Sequence, residues 1–136
     1  MTYIVPCNPN CYDVYGAFES MGTVDWKQRL TSVTEGDIVY IYVSKPVMEI
    51  CFRCVVRAVN KPLSTIDDSA FVKDGSPFLN YSRYMELELK ERYDGKLPFA
   101  LLQIIGIKGS IMGARSIPKE IADQIECIAH HQESYT

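Results

Sequence analysis

Five cysteines, two histidines and one tryptophan are the residues in this sequence with the most distinctive side-chain chemistry. Cys7 with Cys11, and Cys51 with Cys54, have the spacing of two zinc half-sites, but zinc pairs normally sit on tight turns. Cys51 and Cys54 instead lie in a β-branched run without Gly or Pro, and residues three apart on a strand point to opposite faces. Cys54 therefore reads as core filler, and neither a metal nor any other cofactor is expected. The odd cysteine count also argues against a disulfide framework. A nucleophile needs a base and an orienting partner. His130 and His131, near the end of the sequence, have no evident acidic partner and read as solvated. No phosphate loop, dinucleotide fingerprint or metalloprotease motif is present. What remains is stacking and hydrogen bonding, for which Trp26 supplies the largest face; a lone tryptophan is more commonly core.

The elements that must position these residues follow from periodicity. Tyr3-Ile4-Val5 is a short apolar strand that Pro6 should end, and Asn8-Pro9-Asn10 is a turn able to cap a helix. Tyr12, Tyr15 and Phe18, with Val14 and Met21, predict a helix of about three turns, stopped at Gly22. Val24 to Gln28 reads as extended. Glu35-Gly36-Asp37 is a turn before the clearest strand, Asp37–Val43, which Ser44-Lys45-Pro46 breaks. A second long strand, Ile50–Val59, should pair with it antiparallel. The polar stretch from Lys61 to Arg83 carries Phe71, Phe78 and Tyr81, and a loop this long is usually functional. Met85, Leu87 and Leu89 alternate as a strand with one wet face. Pro98 opens a short helix to Ile104, glycines punctuate the chain up to Arg115, and Pro118 starts a helix with Ile121, Ile125, Ile128 and Ala129 on one stripe. Short strands with long excursions argue against a doubly wound sheet. The fold class expected is α+β, a small mixed or antiparallel β-barrel decorated by helices.

Composition sets the outer limits. The 136 residues fit one domain, 1–136, and 47% hydrophobic with 23% charged residues is an ordinary globular balance. No apolar run approaches the ~20 residues of a membrane span, and the first ten residues lack the basic region of a secretory signal. The expected location is cytoplasmic, without membrane partners. The formal charge is −3, whereas proteins that hold duplex DNA by neutralising many phosphates show a basic excess. Any nucleic-acid binding must therefore use a pocket with a local basic rim, or a partner that supplies charge.

An ordered series of segments carries a family resemblance. Tyr3-Ile-Val-Pro-Cys-Asn-Pro, Tyr12-Asp13, Phe18, Val24-Asp25-Trp26-Lys27-Gln28, Gly36-Asp37-Ile-Val-Tyr-Ile-Tyr42 and Ser44-Lys45-Pro46 resemble an EVE domain, as does the closing Gly106-Ile-Lys-Gly109 to Arg115-Ser-Ile-Pro118. That family belongs to the PUA-like superfamily, with the YTH and ASCH domains. The resemblance implies a curved barrel with a pocket for an extruded, modified base, probed between aromatic walls. Trp26 matches the first wall by position, Tyr12 lies beside it in the pattern, and Phe78, Tyr81 or Tyr84 would supply the second. Asn8 lies in the segment that contacts the base edge, although it is equally a turn residue or helix cap. Ser44 is either a donor to the base or simply the end of a strand. Lys45 and Arg115 are candidate phosphate contacts near the mouth.

The function expected is recognition of a modified base, most simply a methylated one, in DNA or RNA. EVE domains are often fused to effectors that attack modified DNA; here an effector would be a separate protein. Two alternatives stand beside this one. The first is a small amidohydrolase on a modified nucleoside, as in some ASCH relatives, with Thr34, Lys45 and Glu49 cast in its roles on residue type alone. The second is a protein-interaction domain with a vestigial pocket.

Overall fold

A computed structural model describes residues 1–28, 32–62 and 83–131. The β-branched and aromatic runs form strands: β1 (Thr2–Cys7), β2 (Thr23–Lys27), β3 (Ile38–Val43), β4 (Glu49–Pro62), β5 (Arg83–Arg92) and β6 (Arg115–Ser116). They make one six-stranded sheet in the order β2-β5-β4-β3-β1-β6. Among the described residues only β1 and β3 run parallel; β3 and β4 pair antiparallel, as their sequences predict. The helices among the described residues are α1 (Val14–Met21), α2 (Phe99–Ile105) and α3 (Lys119–His131). None is long and apolar enough to cross a membrane.

The sheet separates two cores. Tyr3, Val5 and Cys7 of β1 and Val39, Ile41 and Val43 of β3 face α1, meeting Val14, Ala17 and Phe18. The alternate residues, Ile4, Tyr40 and Tyr42, pack with Ile50, Leu102 of α2 and Ile125 and Ala129 of α3. Period-two alternation thus buries both faces of the central strands. Each core side chain of this size contributes roughly 1.5–3 kcal/mol by burial.

The expected barrel is not closed. Within the described residues β2 pairs only with β5, and β6 only with β1, so the two edges share no ladder. Strong curvature is nevertheless present, because β4 shifts register three times against β5 and once against β3. Bulges of this kind bend and twist a strand. They carry β5 and β2 round towards the face covered by α1.

Three local expectations also change. Pro6 does not end β1, which runs to Cys7. Thr2 offers its carbonyl to Ile117 on the β6 side and Cys7 offers its own to Ser44 on the β3 side. By alternation Pro6 faces the β6 side, beyond the two residues that β6 pairs, where no ladder N–H is required. The first helix is shorter than its periodicity suggested, eight residues, because Asp13 is the cap: its Oδ1 accepts from Gly16 N at 3.1 Å. Gly22 ends it in the left-handed region, at φ 72°. Asn8 makes a separate turn instead, its Oδ1 accepting from Asn10 N at 2.9 Å.

Candidate functional site

The gap where the barrel fails to close holds a cavity of about 430 Å³. Val5, Pro6 and Cys7 of β1 form its floor. Trp26 and Lys27 of β2 stand on one side, and Ile111 to Ala114, just before β6, on the other. Asn8, Cys11, Tyr12 and Ser44 complete it. Its volume falls in the lower part of the ~300–1,000 Å³ range of small-molecule sites.

Each wall is held from behind. Trp26 faces the same side of β2 as buried Val24, is itself half-buried, and packs on the α1-side core. Tyr12 meets the indole edge-on, with centroids 5.7 Å apart and planes at 80°. That is a favoured aromatic geometry which supports the indole instead of duplicating its face. Two residues beyond Trp26, the Gln28 amide is locked to Asn60: Nε2 donates to Asn60 Oδ1 at 3.0 Å and Oε1 accepts from Asn60 N at 2.7 Å. Lys61 Nζ pairs with Asp25 Oδ1 at 2.6 Å on the other face of β2. The backbone carrying the indole is therefore anchored on both sides, through Asp25 and Gln28.

The polar groups are few. Ser44 donates to the Cys7 carbonyl from both its N–H, at 2.9 Å, and its hydroxyl, at 3.1 Å. Its oxygen keeps acceptor capacity towards a ligand. With the Asn8 side-chain oxygen engaged in its turn, its NH₂ group is the part able to donate outward. Lys27 is a charged side chain of the lining, and among the described residues the lining contains no carboxylate.

The opposite wall is tied down by residues outside the cavity. Gln103 Nε2 donates to the carbonyls of Ile107 at 2.7 Å and Gly109 at 3.0 Å. Arg115 Nη1 donates to the Lys108 carbonyl at 2.9 Å. Within the wall Ile111 is buried, while Met112 is 85% exposed at the rim.

Asn8, Tyr12, Trp26 and Ser44 of the sequence-based set thus line one cavity. Others lie elsewhere. Arg115 pairs directly with Ile4, and opposed residues of an antiparallel pair share a face. Since Ile4 belongs to the far core, the guanidinium leaves the sheet away from the cavity and braces its wall. Tyr84 cannot be the second aromatic wall, being 0% exposed within the core. Phe78 and Tyr81 lie outside the described residues. Lys45 is exposed beside Ser44, in the turn after β3, and does not belong to the lining. Lys27 escaped sequence reading; its place in the Trp26-Lys27 pair was the available signal.

The amidohydrolase casting does not assemble. Thr34 precedes β3 and Lys45 follows it, so the six-residue strand between them holds them apart by about 20 Å. Glu49 instead accepts from Gly95 N at 2.9 Å. The cysteine half-sites do not assemble either, since among the described residues no group of three or more potential ligands contains a cysteine. Burial pushes the Cys51 and Cys54 thiols up, as suits core residues.

No protein-family model matches this sequence, and no curated protein matches it. Solved structures do share the architecture. The ASCH protein of Zymomonas mobilis superposes with a TM-score of 0.65 at 11% identity, over 92% of this chain and 93% of that one. This chain shares the fold of that ASCH protein. A protein from Pseudomonas syringae gives 0.68 at 12% identity, over 95% of this chain and 99% of that one. A Leishmania major protein gives 0.68 at 11%, over 97% and 96%. At these identities the superpositions show a shared fold.

Proposed function

We propose that this chain is an EVE-like nucleic-acid-binding module that takes a modified base, flipped out of its stack, into the cavity beside Trp26. The observation that carries the reading is a half-buried indole in the wall of a cavity of ligand size, between two sheet edges that share no ladder among the described residues. Unstacking a base costs a few kcal/mol. Stacking on an aromatic returns about 1–3 kcal/mol per base, and edge hydrogen bonds from Asn8 and Ser44 supply direction. Val5, Pro6, Ile111 and Ala114 suit an added alkyl group. Lys27 in the lining and exposed Lys45 beside Ser44 are the cations this reading assigns to a flanking phosphate, which reconciles local phosphate contact with an acidic protein.

Trp26 is the only tryptophan, so its fluorescence reports this site alone. Titrating methylated and parent nucleosides, and short DNA and RNA strands containing them, should give saturable quenching by a modified base and little by its parent. Unchanged emission across the whole panel would defeat the reading.

A further inference from the structure

Strand β5 and helix α3 bring a second chemical cluster together on the sheet face away from the cavity. The sequence suggested solvated histidines without acidic partners, but His130 has two. Its Nε2 lies 3.1 Å from Glu91 Oε1, contributed by β5, and 3.5 Å from Glu126 Oε1, one turn earlier on α3. All three ligand atoms lie within 4.8 Å of one another.

We infer that Glu91, Glu126 and His130 form a surface site for a divalent transition-metal ion such as Zn²⁺. The distances are those of ligands sharing a metal. Two donors each about 2.1 Å from one ion are about 3.0 Å apart at an octahedral angle and about 3.4 Å at a tetrahedral one. Only the Glu91–Glu126 edge must close, through a side-chain adjustment. An imidazole with two carboxylates suits a borderline ion, and water would fill the remaining positions.

The surroundings orient the ligands. Glu126 Oε2 accepts from the phenols of Tyr40 and of Tyr93, the latter at 3.1 Å, which turns Oε1 towards His130. Such hydrogen bonds behind a ligand are a regular part of metal sites. Glu91 Oε1 is a buried atom with no hydrogen bond. His130, 47% exposed, leaves the site open to solvent. Arg53 opposes the ion: its Nε lies 3.4 Å from Glu126 Oε1 and its Nη2 3.8 Å from Glu91 Oε1. It occupies these carboxylates by charge without a hydrogen bond from Nε, so the site is weakened but not filled.

Competition against a chromophoric chelator tests this on the intact, reduced protein. Wild type should take up a single equivalent of Zn²⁺ and melt at a higher temperature with it. His130→Ala and Glu91→Gln should each weaken uptake by at least about tenfold, with the metal-free melting temperature of His130→Ala unchanged. Arg53→Met should tighten it, an effect opposite to that expected of a purely structural ion-pair network. Co²⁺ bound here should show no near-ultraviolet thiolate charge-transfer band. Absence of saturable uptake by wild type, or equal uptake by His130→Ala and Glu91→Gln, would overturn the site; a thiolate band would assign the ion to cysteines and overturn it equally.

Discussion

Trp26 and Lys27 are neighbours on β2 with separable roles. Alanine at Trp26 should weaken binding of the modified base by about 1–3 kcal/mol, the worth of one stacked base. Its stability cost should stay below the ~3–5 kcal/mol of a fully buried aromatic, because the indole is only half-buried. Thermal melting and base binding measured on one variant check both. A steep loss of melting temperature with base binding intact would make Trp26 a core residue. Lys27→Ala addresses charge. If its ammonium neutralises one phosphate, the slope of log affinity against log salt should fall by about one, as read by anisotropy on a labelled strand, while quenching by the free nucleoside is preserved.

Among elements, the segment between α2 and β6 shows how a wall is built from irregular backbone. Ile107 to Ala114 has few ladder hydrogen bonds, so Gln103 and Arg115 take their place by binding its carbonyls. Arg115→Ala should therefore loosen this wall and weaken binding of the nucleoside itself several-fold, leaving the salt slope of strand binding unchanged. The reverse pattern, a flatter slope with normal nucleoside binding, would return Arg115 to phosphate contact. Regular elements were legible locally: β3 and β4 are long β-branched runs, and α2 and α3 begin just after Pro98 and Pro118. The length of α1 was not, because Tyr12 and Tyr15 keep helical spacing while Asp13 captures the Gly16 N–H and starts the helix there. Pro6 misled for a similar reason, since its meaning depends on which side of β1 has a partner.

At the scale of the molecule, burial determines the response to alkali. It pushes the Cys51 and Cys54 thiols and the Tyr15, Tyr40 and Tyr93 phenols above their ordinary ranges. Above about pH 8.5 for thiols and about pH 10 for phenols, the unfolded chain releases protons that the native state retains. The native state then binds more protons, so stability is fully present below those values and falls as pH rises through them. Denaturant midpoints should be lower at pH 10.5 than at pH 7.5, and Cys54→Ala should flatten the decline between about pH 8.5 and 10. A midpoint unchanged to pH 10.5 would mean that these groups ionise in the folded state as readily as in the unfolded one.

By itself the sequence determined the two long strands β3 and β4, their antiparallel pairing and the stripe on α3, because each depends on side-chain period and on neighbours close along the chain. It also placed Asn8, Tyr12, Trp26 and Ser44 as candidates through an ordered series of motifs. Tertiary structure alone decided that the sheet stays open, since closure depends on whether β2 and β6, remote in sequence, come within hydrogen-bonding distance. It alone turned Arg115 away from the cavity, because that follows from its register against Ile4. It also joined His130 to Glu91, residues from different elements that meet only when α3 packs across the sheet.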